Sequence, residues 1–132
     1  MKRLLAVAAL LIAALPALAA LPPFLFTPQA KTIKAFGSGY SIILDNGKTL
    51  SVDRFGLDYR ITDGDREITT FTQVSAGWIE KSTNRTWILG EDGKWRTKNG
   101  DLMIARVIDS IVLTHSGGKT TWRQTGETWV RQ

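Results

Sequence analysis

From Ile33 to Gln132 no window of eleven residues carries apolar side chains at helical spacing, and turns built on Gly, Asn or Asp keep interrupting the chain. That punctuation constrains the fold more than anything else in the sequence. A helix buries a face by repeating apolar residues at i, i+3, i+4 and i+7, whereas a half-buried strand repeats them every second residue. Here the period is two. Tyr40, Ile42 and Leu44 alternate with Ser41, Ile43 and Asp45. Asn46-Gly47 then reverses the chain, since both residues tolerate positive φ. In Thr49 to Asp53 the alternation points Leu50 and Val52 inward and Thr49, Ser51 and Asp53 outward. Leu57, Tyr59 and Ile61 repeat the pattern, and Asp63-Gly64-Asp65-Arg66 turns the chain into Glu67 to Thr72.

The second half continues in the same way. Gly77 to Lys81 and Arg85 to Leu89 flank a Ser-Thr-Asn turn, and two further polar turns bracket a short strand at Trp95. Leu102 to Ile108 has apolar residues on both faces, which reads as a strand buried on both sides or one closing a barrel, with a short helix as the alternative. Ile111 to His115, Thr120 to Gln124 and Thr128 to Arg131 complete the chain. About nine or ten strands at spacings near 8–12 residues predict an all-β fold. The expected architecture is a single antiparallel meander domain, a small up-and-down β-barrel, with a two-sheet β-sandwich as the alternative. Closure would remove exposed strand edges that otherwise invite aggregation. A Gly-Lys pair recurs in LDNGKTL, GEDGKWR and SGGKTTW, as hairpin chemistry repeated rather than a ligand loop.

The N-terminus is set apart. Lys2 and Arg3 precede an unbroken apolar run, Leu4 to Leu15, then Pro16 and a small-x-small Ala17-Leu18-Ala19. This is the pattern of a secretory signal peptide, assigned to residues 1–19. Residues 20–32 form an extended, proline-rich lead-in expected to pack loosely, and residues 33–132 form the β domain. The absence of cysteine excludes a lipid-anchored lipoprotein, disulfide staples and thiolate chemistry. The expected location is the bacterial periplasm, or outside the cell, with no stable membrane insertion once the signal is cut. Taking Lys2 and Arg3 from the 17 basic residues leaves 15 against 12 acidic ones, a formal charge of +3. So mild an excess suits an anionic partner but not a dedicated nucleic-acid binder.

Catalytic and metal readings fail on spacing. Asp63, Asp65 and Glu67 alternate as at the start of a calcium loop, but Gly64 comes too early and Arg66 stands among the would-be ligands. His115 is the only histidine, whereas zinc sites draw on several His or Cys. No strand–turn–helix elbow presents a nucleophilic serine. The sequence therefore predicts a non-enzyme with no catalytic residues, no metal and no cofactor.

The five tryptophans, all from Trp78 onward, carry the remaining information. Residues i and i+2 of a strand share a face. Trp95 and Trp122 oppose their neighbouring cations and read as core anchors. Trp87 shares a face with Arg85, and Trp129 with Arg131, as in a cation–π shield at the surface or the wall of a polar pocket. Arg85, Trp87, Trp129 and Arg131 are the candidate ligand-binding residues. The expectation is a binding domain for an envelope component or a small amphipathic or anionic ligand. An interaction or inhibitor module acting on a partner protein through hairpin loops is the second reading, and a carboxylate-pair hydrolase the third.

Overall fold

The computed structural model describes residues 21–132, so the expected signal peptide lies outside the described residues. Twelve strands follow one another there: β1 Ala30–Phe36, β2 Gly39–Leu44, β3 Thr49–Phe55, β4 Asp58–Asp63, β5 Arg66–Val74, β6 Gly77–Glu80, β7 Thr86–Leu89, β8 Trp95–Thr97, β9 Met103–Val107, β10 Ser110–His115, β11 Gly118–Thr125 and β12 Thr128–Arg131. Each pairs antiparallel with its neighbours in sequence, and β1 pairs with β12 to close the barrel. The up-and-down barrel is therefore the fold, and the sandwich is not. The count exceeds the nine or ten strands expected. β1 was missed because it begins inside the proline-rich lead-in and alternates weakly, and it is the strand that makes closure possible.

Up-and-down order places every second turn at the same end. The turns after β1, β3, β5, β7, β9 and β11 ring one mouth, and the remaining turns, with the start of β1 and the end of β12, ring the other.

An eight-stranded barrel is about filled by its own inward side chains, and diameter grows with strand number. Twelve strands leave space, and two devices fill it. The first is bulk. All five tryptophans are buried, together with inward residues such as Ile33, Val52, Tyr59, Phe71 and Leu113. The second is the lead-in. Leu21 lines a depression with Ala35, Gly126 and Trp129 at the first mouth. A single 3₁₀ turn, Pro23–Leu25, follows, and Phe24, Leu25 and Phe26 are buried. Phe24 packs edge-on to Trp78 and Phe26 edge-on to Trp122 and Trp129. At the second mouth Asp45 donates its backbone N–H to the Gln29 carbonyl at 3.0 Å, and the chain turns back into β1. The lead-in thus threads the barrel from an entry end to a return end. Loose packing was the expectation; proline-rich backbone enters because the lumen is wide enough, and its three consecutive apolar side chains complete the core.

Local irregularities serve this interior. The β1–β2 register shifts between Ala30 and Thr32, a bulge that turns both Ala30 and Ile33 inward although they are three apart. A side chain at Gly39 or Gly77 would run into the carbonyl oxygen of Val52 or Trp87 on the adjoining strand. Leu102 to Ile108 departs from its expected two-sided burial. Ile104 faces the core, while Val107 and Ile108 are exposed at the entry end.

Candidate ligand cavity

At the return end a cavity of about 380 Å³ opens between the lead-in and the barrel wall. This is at the small end of the range of roughly 300–1,000 Å³ usual for ligand pockets. Its lining is mostly carbon: Phe24, Phe26, Leu50, Ile61, Phe71 and Trp87. Two charged residues complete it, Glu80 and Arg85. The same i, i+2 relationship that sends Trp87 inward brings Arg85 to the cavity. Trp87 is buried, while Arg85 keeps 40% of its side-chain surface exposed and pairs with Asp101 at 3.2 Å. Asp101 is further held by the Thr97 hydroxyl, which donates to it at 2.6 Å. Glu80 accepts hydrogen bonds from the Ser82 and Thr83 hydroxyls at 3.2 and 2.8 Å.

A second depression, about 400 Å³, lies between the β6–β7 and β8–β9 turns and is lined by Thr83, Asn84, Arg85, Thr86, Lys98 and Asn99. These are polar and cationic groups with no carboxylate among them. Asn84 adopts φ 58, a left-handed conformation that asparagine tolerates better than most residues. Arg85 lines both depressions. An apolar cavity and a basic groove therefore share one lining residue, Arg85.

The four candidate residues divide. Arg85 and Trp87 share the return-end cavity. Trp129 stands at the other end of the lumen, with the Arg106 guanidinium over its ring at 5.5 Å from the centroid and Leu21 beside it. Arg131 donates to the Pro28 carbonyl at 2.7 Å and pairs with Asp45. Pro28 lines the cavity, so Arg131 acts on it by holding the returning lead-in. The surface-shield arrangement fails for both tryptophans because both rings are interior.

Sequence reasoning missed Lys98, Glu80 and the lead-in phenylalanines. The parity of hairpins carried a signal for Lys98. The turns after β6 and β8 must emerge at the same end, which puts Lys98 beside Arg85. Nothing local marked Phe24 and Phe26 as interior.

Two polar details bear on chemistry. His115 Nε2 lies 2.9 Å from the Thr120 hydroxyl, and its Nδ1 accepts the Gly117 N–H at 3.2 Å, so the ring is engaged within its own hairpin. Among the described residues no group of three or more His, Cys, Asp or Glu is placed to hold a metal ion. Comparison with protein-family models, with characterised proteins and with solved structures finds no match for this chain.

Proposed function

We propose that the protein is an exported, non-enzymatic binding domain that holds a small amphipathic anion, such as an envelope component of that chemistry. The apolar part occupies the return-end cavity over Trp87, and the anionic head sits in the groove at Arg85 and Lys98. The observation that carries this reading is that Arg85 lines both depressions. A guanidinium is suited to this place because it binds carboxylate, sulfate or phosphate through fixed parallel N–H groups. The Arg85–Asp101 pair orients the guanidinium, and Lys98 supplies a cation in the groove that no carboxylate of its lining faces.

The test is a titration of the purified protein with decanoate, decyl sulfate, decanol and decyltrimethylammonium, followed by tryptophan emission and calorimetry. The anions should saturate at one per chain and bind at least about tenfold more tightly than the cation, a difference near 1.4 kcal/mol. Lys98→Gln should weaken the anions and leave decanol unchanged. Leu50→Trp, which fills the cavity from a half-buried position, should weaken all three binders. Equal affinity for the cationic analogue, or no saturable binding by any of the four, would sink the reading.

A further inference from the structure

The entry end has a different character. The five most exposed large apolar side chains among the described residues, Ile108 (90%), Phe36 (74%), Leu57 (64%), Val107 (54%) and Phe55 (53%), all stand at that mouth. They sit at the neighbouring β1–β2 and β3–β4 turns and at the β9–β10 turn across the ring. One partner can cover all three turns at once only if it is broad, flat and apolar.

Ile108 sharpens the point. It adopts φ 56, a conformation in which a β-branched residue is a genuine outlier and Asn or Gly would be at ease. A side chain that is both strained and solvent-exposed gains nothing from the barrel it belongs to.

The route of the chain identifies the partner. The described chain begins at Leu21, in the entry mouth beside Gly126 and Trp129. In the uncut chain the apolar run Leu4 to Leu15 therefore joins the domain at the end that bears the exposed apolar tips. Behind the tips, the Arg60 guanidinium lies over Phe55 at 4.5 Å and that of Arg54 over Tyr59 at 5.4 Å. Both arginines are engaged within the domain, Arg60 with Glu67 at 2.9 Å and Arg54 with the Gly56 carbonyl and the Tyr59 hydroxyl, so the apolar and aromatic tips themselves are the groups suited to a membrane–water interface. Asp53, Asp58, Glu91, Asp92, Asp109 and Glu127 stand at the same end, so apolar burial at the three tips rather than net charge drives the contact.

We propose that the entry end is a membrane-seating face. The tips at Phe36, Phe55, Leu57 and Ile108 dip into the interfacial layer of a lipid bilayer, and the return end with its cavity is held away from it. The seat is shallow, so this is contact with the bilayer rather than a span of it.

The absence of cysteine makes the test direct. Ser75→Cys at the entry end and Ser116→Cys at the return end, both exposed positions, are each labelled with an environment-sensitive fluorophore in the full chain. The chain is reconstituted with phosphatidylcholine–phosphatidylglycerol vesicles that carry a headgroup spin-labelled lipid. The label at position 75 should shift to the blue and be quenched several-fold more than the label at position 116. Adding Phe36→Ser, Leu57→Ser and Ile108→Asn should at least halve the quenching at position 75, while the apolar run keeps the chain on the vesicles. Native tryptophan emission checks that this variant remains folded. Equal quenching at the two ends, or quenching that survives the triple substitution in a folded chain, would overturn the proposal.

Discussion

The ring of Phe24 lies flat against that of Phe71, with centroids 3.9 Å apart and planes 5° from parallel. Phe24 belongs to the lead-in and Phe71 to the barrel wall, so this stack joins the threaded segment to the sheet around it. Replacing Phe24 with Ala leaves a cavity in a lumen that twelve strands cannot close by themselves. The unfolding free energy should fall by about 3–5 kcal/mol, read from urea denaturation followed by tryptophan emission. A loss under about 1 kcal/mol would show that the barrel stands without its plug.

Trp122 and Trp95 make a matched pair. Trp122 Nε1 donates to the Ala30 carbonyl at 2.8 Å, whereas the buried Trp95 Nε1 has no hydrogen-bond partner. A buried donor without a partner costs free energy, and breaking a made bond costs it again. Trp122→Phe should therefore be more destabilising than Trp95→Phe by about 1–3 kcal/mol. Chemical denaturation of the two single variants decides it, and equal losses would refute the assignment.

Ile108 holds a positive φ at a cost of roughly 1–2 kcal/mol for a residue with a Cβ. Ile108→Gly should raise the unfolding temperature by a few degrees despite removing a large side chain, because that side chain is almost wholly in solvent. The same change should weaken attachment to vesicles at the entry end. A fall in thermal stability would mean that the Ile108 side chain packs against the fold after all.

Asp92 and Asp45 should both contribute to acid sensitivity, since an arginine hydrogen bond lowers the carboxyl pKa of each, and Asp92 gives the clearer test. Its carboxylate accepts from Arg96 at 2.7 and 3.1 Å and from the Lys94 backbone N–H at 3.1 Å. The Arg96 hydrogen bond is the largest cause, and it holds the carboxyl well below its ordinary 3.8, at about 2. The folded state binds this proton more weakly than the unfolded state does. The contribution to stability is thus present above pH 3.8 and lost as pH falls through about 2. Asp92→Asn should flatten the change of melting temperature across that window while keeping the turn, since an amide oxygen can still accept from Lys94. Both partners are partly exposed, so added salt should shrink the difference.

Strand periodicity and turn chemistry were legible residue by residue. Leu50 and Val52 face inward as the alternation requires, Asn46-Gly47 lies in the β2–β3 turn, and Trp95 and Trp122 are core. The site was legible by half. Arg85 and Trp87 share a cavity because a strand puts i and i+2 on one side. Trp129 and Arg131 satisfy the same rule, yet their surroundings come from the lead-in and from β9, which no local pattern could supply.

By itself, then, the amino-acid sequence determined an antiparallel all-β chain and the inward or outward sense of most strand residues, since both follow from backbone geometry over a few bonds. Tertiary structure alone decided that β1 meets β12, that the barrel closes at twelve strands, and that the lumen so formed admits residues 21–29. Those outcomes depend on ring closure and on filling a volume that no single hairpin encloses. The cavity at Arg85, the groove at Lys98 and the apolar tips ringing the entry mouth exist only because distant turns are gathered at the two ends of one closed sheet.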